Sequence, residues 1–163
     1  MTKTLINTIV EKIKKVLPKL SNSISLHEPY FVGNEWKYTK ECLDSGWVSS
    51  VGKFVDRFEK DLANFTGAKH VVVTSNGTAA LHMSLLLAGV KENDEVLVPT
   101  LTFVATCNAI HYCGATPHFI DSELASLGVD PQKLATYLKE IAVVKQKVCY
   151  NRITQKPIRV IRL

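Results

Sequence analysis

From Lys69 to Ile141 the chain alternates short β-branched runs with segments of helical length, and this alternation constrains its fold most. "KHVVVT" reads as a strand and "TAALHMSLLLA", Thr78 to Ala88, as a helix apolar on nearly every side and so expected to be buried on nearly every side. "DEVLVPT" is a second strand, "TFVATCNAIHYCG" a helix stopped by Gly114, and "ATPHFID" a third strand. The proline of that third strand is tolerable near its start or at a sheet edge. In "GVDPQKLATYLKEIA" Asp130 stands at the N-cap and Pro131 at the first helical position, with Leu134, Leu138 and Ile141 as the buried stripe. "VCYNRITQKPIRVIRL" reads as a hairpin-like excursion followed by a strand from Pro157 or Ile158. Strands alternating with helices of this length imply right-handed β-α-β units and a mainly parallel sheet.

Upstream the pattern is helical. Leu5, Ile6, Ile9, Val10, Ile13, Val16 and Leu17 recur at helical period, and Pro18 to Ser25 breaks that helix, with Ser21-Asn22-Ser23 as a linker. The ordinary reading of this amphipathic helix is packing on its own protein or on a partner subunit, with membrane-surface binding the alternative. Glu11 and the lysines interrupt every apolar stretch, so the segment is not a signal peptide, and no apolar run is long enough to span a bilayer. Asn34 is placed to cap a helix ending at Ser45 with Gly46 as its stop, and "WVSSVG" follows as a loop. Phe54, Phe58, Leu62 and Phe65 then share one face of a helix that Gly67 ends. The expected domains are a helix and linker over 1–25 and a sheet domain over 26–163.

The balance of charge is modest, +5 over 163 residues, and the basic residues are scattered apart from Lys12, Lys14, Lys15 and a basic C-terminal end. Nucleic-acid binding would call for clustered basic residues interleaved with aromatics. The four cysteines, Cys42, Cys107, Cys113 and Cys149, contain no CxxC pair, so neither a metal site nor a disulfide framework is indicated, and reduced thiols fit a cytoplasmic protein.

The chemistry concentrates at Ser75-Asn76-Gly77-Thr78, where a strand passes directly into a helix. Ligands of open α/β sheets sit beyond the carboxyl ends of the strands, and a helix N-terminus offers free N–H groups and a positive dipole end to an anion. Gly77 allows close backbone approach, and the Ser75 and Thr78 hydroxyls can add hydrogen bonds. The same residues are also ordinary N-caps that need no ligand. Neither GxGxxG nor GxxxxGK[ST] is present, so a Rossmann dinucleotide or a P-loop nucleotide is unsupported. At the next strand end Phe103 stands where a ring could cover a flat ligand, although an isolated aromatic is more often plain core. A phosphate site beside an aromatic face suggests a planar phosphorylated cofactor such as pyridoxal 5′-phosphate. His82, His111 and His118 read as satisfied structural histidines, and Asp121 as ordinary strand-end chemistry.

The stretch "GKFVDRFEKDLANFTGAKHVVVTSNGTAALHMSLLLAGVKENDEVLVPTLTFVATCNAIHYCGATPHFID" closely resembles the DegT/DnrJ/StrS sugar aminotransferases, a fold-type I pyridoxal-phosphate family. The likeness runs along nearly the whole chain. "LHEPYFVGNEWKYTKECLDSGWVSSVGKF", "GVDPQKLATYLKEI" and "VCYN" resemble the branch that aminates UDP-linked 4-keto sugars on the way to legionaminic-acid-type nonulosonates. The resemblance implies that Gly77 and Thr78 hold the cofactor phosphate, that Asn76 lines the same turn, and that Phe103 stacks on the pyridine ring. It also implies that Ser49, Ser50 and Gly52 lie in a loop near the substrate mouth, and that the intact enzyme is a homodimer using glutamate as amino donor in cell-surface polysaccharide biosynthesis. Members of this family are longer. Their pyridine-pairing acid, their Schiff-base lysine and their small C-terminal domain come later in the sequence, and Lys133, Lys139, Lys145, Lys147 and Lys156 stand in no family-like lysine context. The implied fold is thus the N-terminal portion of the large domain, truncated and inactive in transamination by itself, with its sheet edge and apolar helix faces uncovered. A sugar dehydratase remnant and a non-catalytic interaction module are the alternatives.

Overall fold

The computed structural model describes residues 3–17 and 27–161. They divide into two compact units, one ending at Val51 and one beginning at Gly52. The helix break and linker expected over Pro18 to Ser25 lie outside the described residues.

The first unit holds helices α1 (Lys3–Val16) and α2 (Glu35–Ser45). Asn34 occupies the N-cap position of α2, yet its side chain makes no capping hydrogen bond, contrary to expectation. Glu35 closes the turn instead, its Oε2 accepting from the Gly33 N–H at 2.9 Å. Gly46 ends α2 in the left-handed region (φ +72°) and donates to the Leu43 carbonyl at 3.2 Å, a conformation that costs glycine nothing.

In the second unit, α3 (Lys53–Thr66) and α4 (Gly77–Leu87) precede the sheet, and α5 (Val104–Tyr112) and α6 (Pro131–Ile141) are threaded through it. The strands are β1 (Glu95–Pro99), β2 (Thr116–Ile120), β3 (Ala142–Lys145), β4 (Val148–Asn151) and β5 (Ile158–Ile161). The order β2-β1-β5 is parallel throughout, and β3 and β4 form an antiparallel hairpin, so the expected mainly parallel sheet is present. Pro117 lies in an outer strand of this three-stranded sheet, the position a residue without an N–H tolerates.

Strand β1 organises the core because both its faces are covered, as a parallel strand requires. Val96 and Val98 face α4 and α5, where they meet Leu85, Ala109 and Ile110. Leu97 faces the other way, into Ile120, Ile141 and Ile158, with Leu134, Tyr137 and Leu138 of α6 packed around them. The three central side chains are completely enclosed, worth about 1.5–3 kcal/mol each. Helix α6 starts where the sequence indicates: the Asp130 carboxylate accepts from the Gln132 and Lys133 N–H groups at 3.0 and 2.9 Å, and Pro131 follows.

Two further expectations need correction. Residues 69–74 form no strand, for no described strand runs alongside to supply a ladder; the Val73 N–H donates instead to the Glu59 carboxylate at 2.8 Å. Helix α4 is not enclosed on nearly all sides. Leu85 alone is buried, while Met83, Leu86 and Leu87 are exposed, because among the described residues α5 is the one helix packed closely along it.

A buried carboxylate fastens the sheet to the hairpin. Glu95, at 3% exposure, accepts from His118 Nδ1 at 2.8 Å, from Asn151 Nδ2 at 2.9 Å and from Thr154 Oγ1 at 2.5 Å. His118 Nε2 lies 2.8 Å from the Tyr137 hydroxyl, so the ring bridges β2 to α6 with both nitrogens satisfied. Burial pushes the Glu95 pKa up, but the hydrogen bonds from Thr154, Asn151 and His118 outweigh it and hold the group below its ordinary value of 4.5. A depressed folded pKa gives stability that is present above the unfolded value and lost as pH falls through the folded one. Glu95→Gln is therefore expected to cost about 1–3 kcal/mol at pH 7. It should also flatten the loss of stability below about pH 4.5, both read from urea midpoints across a pH series; an unchanged midpoint at pH 7 would contradict this role.

Candidate functional site

The turn before α4 is built from local chemistry. Asn76 adopts extended backbone and caps the helix, its Oδ1 accepting from the Ala79 N–H at 2.9 Å. Its carbonyl accepts from the Ala80 N–H at 3.1 Å and from the Thr74 hydroxyl at 3.0 Å, and its Nδ2 lies 3.4 Å from Ser75 Oγ. The N–H groups of Gly77 and Thr78 belong to the first turn, where no intrahelical carbonyl is available. Gly77 is exposed, its φ is ordinary, and a Cβ built on it meets nothing within 4 Å. No protein contact demands glycine there. A helix N-terminus whose first-turn N–H groups lack intrahelical acceptors is chemically suited to an anion such as phosphate. Of the two sequence readings of this knot, the N-cap is observed at Asn76.

Phe103 occupies the N-cap position of α5, just beyond the carboxyl end of β1, and is 77% exposed. It is therefore not core, and its ring is open to a planar ligand. Helices α4 and α5 pack on each other through Leu81, Leu85, Ala109 and Ile110, so the cradle and the ring stand on two fixed supports over the same face of the sheet. Thr102 Oγ1 and Thr106 Oγ1, 3.0 Å apart, tie the turn below Phe103 to α5. The residues present thus fit the phosphate and one ring face of pyridoxal phosphate.

Ser49 and Ser50 are exposed in bends that close the first unit, and Gly52 (φ +146°) is the N-cap residue of α3 at the start of the second. A pocket of about 250 Å³, which the sequence reading misses, opens at the carboxyl end of β2 between Phe119, Ile120, Asp121, Lys133, Leu134 and Tyr137. Its polar wall is already paired: Lys133 Nζ donates to Asp121 at 2.9 Å, and that hydrogen bond and charge raise the lysine pKa. The one sequence signal for it is Asp121 at a strand end. His118 is a satisfied structural histidine, and Lys139, Lys145 and Lys147 are exposed. Among the described residues no group of three metal-ligating side chains converges, and no helix is long and apolar enough to cross a membrane.

Because Asn76 is the cap, Asn76→Ala should lower stability by about 1 kcal/mol, measured by thermal or urea unfolding. Gly77→Ala, with open space for its Cβ and an ordinary φ, should not lower it. Equal losses in the two variants would mean that the turn is wrongly divided.

The chain is similar to known proteins. Residues 30–144 match the DegT/DnrJ/EryC1/StrS aminotransferase family. GDP-perosamine synthase of Caulobacter vibrioides is 45% identical over 111 residues, covering 68% of this chain and 30% of that protein. GDP-perosamine synthase of Vibrio cholerae is 51% identical over 106 residues, covering 65% and 29%. The chain therefore spans about 30% of the length of the curated relatives it matches. Among solved structures, Spr1654 of Streptococcus pneumoniae in its PLP form superposes with a TM-score of 0.61 at 30% identity, covering 69% of this chain and 29% of that one, and it is also known in a PMP form. With more than half of its length matched, and with an α/β fold shared with pyridoxal-phosphate enzymes, the chain belongs to the DegT/DnrJ/EryC1/StrS aminotransferase family.

Proposed function

We propose that this chain supplies the phosphate-holding part of a pyridoxal-phosphate aminotransferase of nucleotide-linked keto sugars, and that these 163 residues carry out no transamination by themselves. The observation that carries the reading is the first turn of α4, whose Gly77 and Thr78 N–H groups have no intrahelical acceptor, beside a glycine that the protein's own packing does not require. In this reading the N–H groups of Gly77 and Thr78 and the Thr78 hydroxyl hold the phosphate, and Asn76 keeps the turn in place by capping. Phe103 covers one face of the pyridine ring and excludes water from it. Bound pyridoxal phosphate supplies an electron sink for the amino carbon; the protein must add an acid at the pyridine nitrogen and a lysine that moves the proton. Lys133, Lys139, Lys145, Lys147 and Lys156 lie on α6 or in the hairpin region. The family resemblance assigns none of them as the proton-moving lysine, which this reading places in sequence other than this.

Ser49, Ser50 and Gly52 are assigned to the sugar-nucleotide mouth, glutamate is the amino donor, and the working enzyme is a cytoplasmic homodimer. The substrate class is a nucleotide-linked 4-keto sugar. Resemblance of the flanking segments favours UDP, while the names of the perosamine synthases favour GDP.

Binding of pyridoxal 5′-phosphate and of pyridoxal to the purified chain, followed by ligand absorbance, tests the cradle. The phosphorylated form should bind at least about tenfold more tightly, a difference of roughly 1.4 kcal/mol. Gly77→Asp should abolish that preference without lowering the unfolding midpoint, since a carboxylate suits a helix N-terminus but repels phosphate. Equal affinity for both compounds, or a preference that survives Gly77→Asp, rules out the cradle. Stoichiometric borohydride trapping of pyridoxal phosphate on one lysine, together with turnover, would overturn the proposed inactivity.

A further inference from the structure

Helix α1 lies outside residues 30–144, the part matched to the aminotransferase family. Its apolar side chains form one unbroken stripe. At about 100° per residue, Leu5, Val16, Ile9, Ile13, Ile6 and Val10 fall in that order across an arc of about 140°. None of this stripe is buried: Leu5, Ile6, Ile9, Val10 and Ile13 are 41–48% exposed and Val16 is 82% exposed. Exposure of this extent asks what covers the stripe.

The placement of charge indicates what does. Lys12 borders the stripe on the Leu5 side and Lys14 borders it on the Val10 side, both exposed. Glu11, the single acid, sits near the middle of the opposite face, where it pairs with Lys14 at 3.2 Å. The helix carries four lysines against one glutamate, a net charge of +3. A partner that meets the stripe must therefore accept cations along both margins at once. An anionic lipid surface does so: the stripe sinks below the headgroups while the flanking lysine stems lie along it and their ammonium groups reach the phosphates. A second α1 fits poorly, since fourteen residues supply only two heptads, fewer than a coiled coil sustains, and would set lysine margins against lysine margins. Spanning is excluded by length, because fourteen residues rise about 21 Å against a hydrocarbon core of about 30 Å.

We propose that α1 is an in-plane anchor that binds the surface of anionic bilayers. The test is flotation of the full chain with vesicles of phosphatidylcholine alone and of phosphatidylcholine with phosphatidylserine, since flotation leaves aggregated protein at the bottom of the gradient. The chain should float with the anionic vesicles and not the neutral ones, and binding should fall at least about tenfold between low and high salt. The double variant Ile9→Glu/Ile13→Glu should remain at the bottom. Lys12→Glu/Lys14→Glu, which keeps the apolar stripe, should lose most of the binding while unfolding as the parent does. Three results would each overturn the proposal: no flotation with either vesicle, equal flotation with both, or binding retained by the Ile9→Glu/Ile13→Glu variant. So would a dimer in solution, without flotation, that this variant converts to monomer; that outcome would assign the stripe to a second copy.

Discussion

Glu95 is the buried charge that ties most of the second unit's elements to its central strand. It opens the central strand, is almost fully enclosed, and collects three donors from residues 23, 56 and 59 positions away. An ionised carboxylate without partners would cost several kcal/mol at such a site. With His118, Asn151 and Thr154 in place it instead ties β2, β4 and the loop after β4 to β1. Through His118 and Tyr137 the same network reaches α6. Asp94, one residue earlier and also buried, accepts from Arg159 Nε at 3.0 Å and from the Lys91 N–H at 3.0 Å, joining β5 to the start of β1. Two adjacent acids thus fix the amino end of the central strand, leaving its carboxyl end to chemistry.

That division of labour explains where the candidate site sits. Val96, Leu97 and Val98 alternate between two cores, so β1 cannot slip by one residue without reversing both faces. Once β1 is fixed, α5 must start just beyond Pro99, which sets Phe103 at its N-terminus. Helix α4 packs on α5 through small and branched side chains, and its own N-terminus carries the open turn of Gly77 and Thr78. The polar turn itself contributes little to stability beyond the Asn76 cap. It is held by the helices behind it, the arrangement expected of a binding loop on a rigid scaffold.

Much of this is legible in the sequence because it is local. Asp130-Pro131, Gly46 and Gly67 mark helix ends through contacts within four residues, and each end lies where it was expected. The strand-to-helix knot is legible for the same reason. What escapes is non-local. Residues 69–74 have strand composition but no described neighbour to pair with, and α4 has buried-helix composition with only one covering helix. Asn34 has cap chemistry, yet Glu35 makes the hydrogen bond. The Glu95 network leaves only two faint traces, a glutamate at the head of an apolar strand and a histidine inside an edge strand. Neither trace names its partner, because hydrogen bonds across 23 to 59 residues have no period to read.

The exposed apolar surface follows from the same pairing logic. A parallel sheet is stable when both faces are covered and its outer strands are protected. Here Met83, Leu86 and Leu87 of α4 and Phe58 and Phe65 of α3 face solvent, and β5 is an outer strand of the sheet. Single exposed leucines need no explanation, but Leu86 and Leu87 lie on the helix that carries the cradle, and Phe103 stands beside it on α5. A phosphate bound at Gly77 and Thr78 would gain two backbone donors yet stay in water, where each is worth little. The same donors strengthen when an apolar cover excludes water from the turn. Leu86 and Leu87 lie at the other end of α4, about 14 Å along its axis from that turn, so their burial would stabilise the helix rather than desolvate the turn.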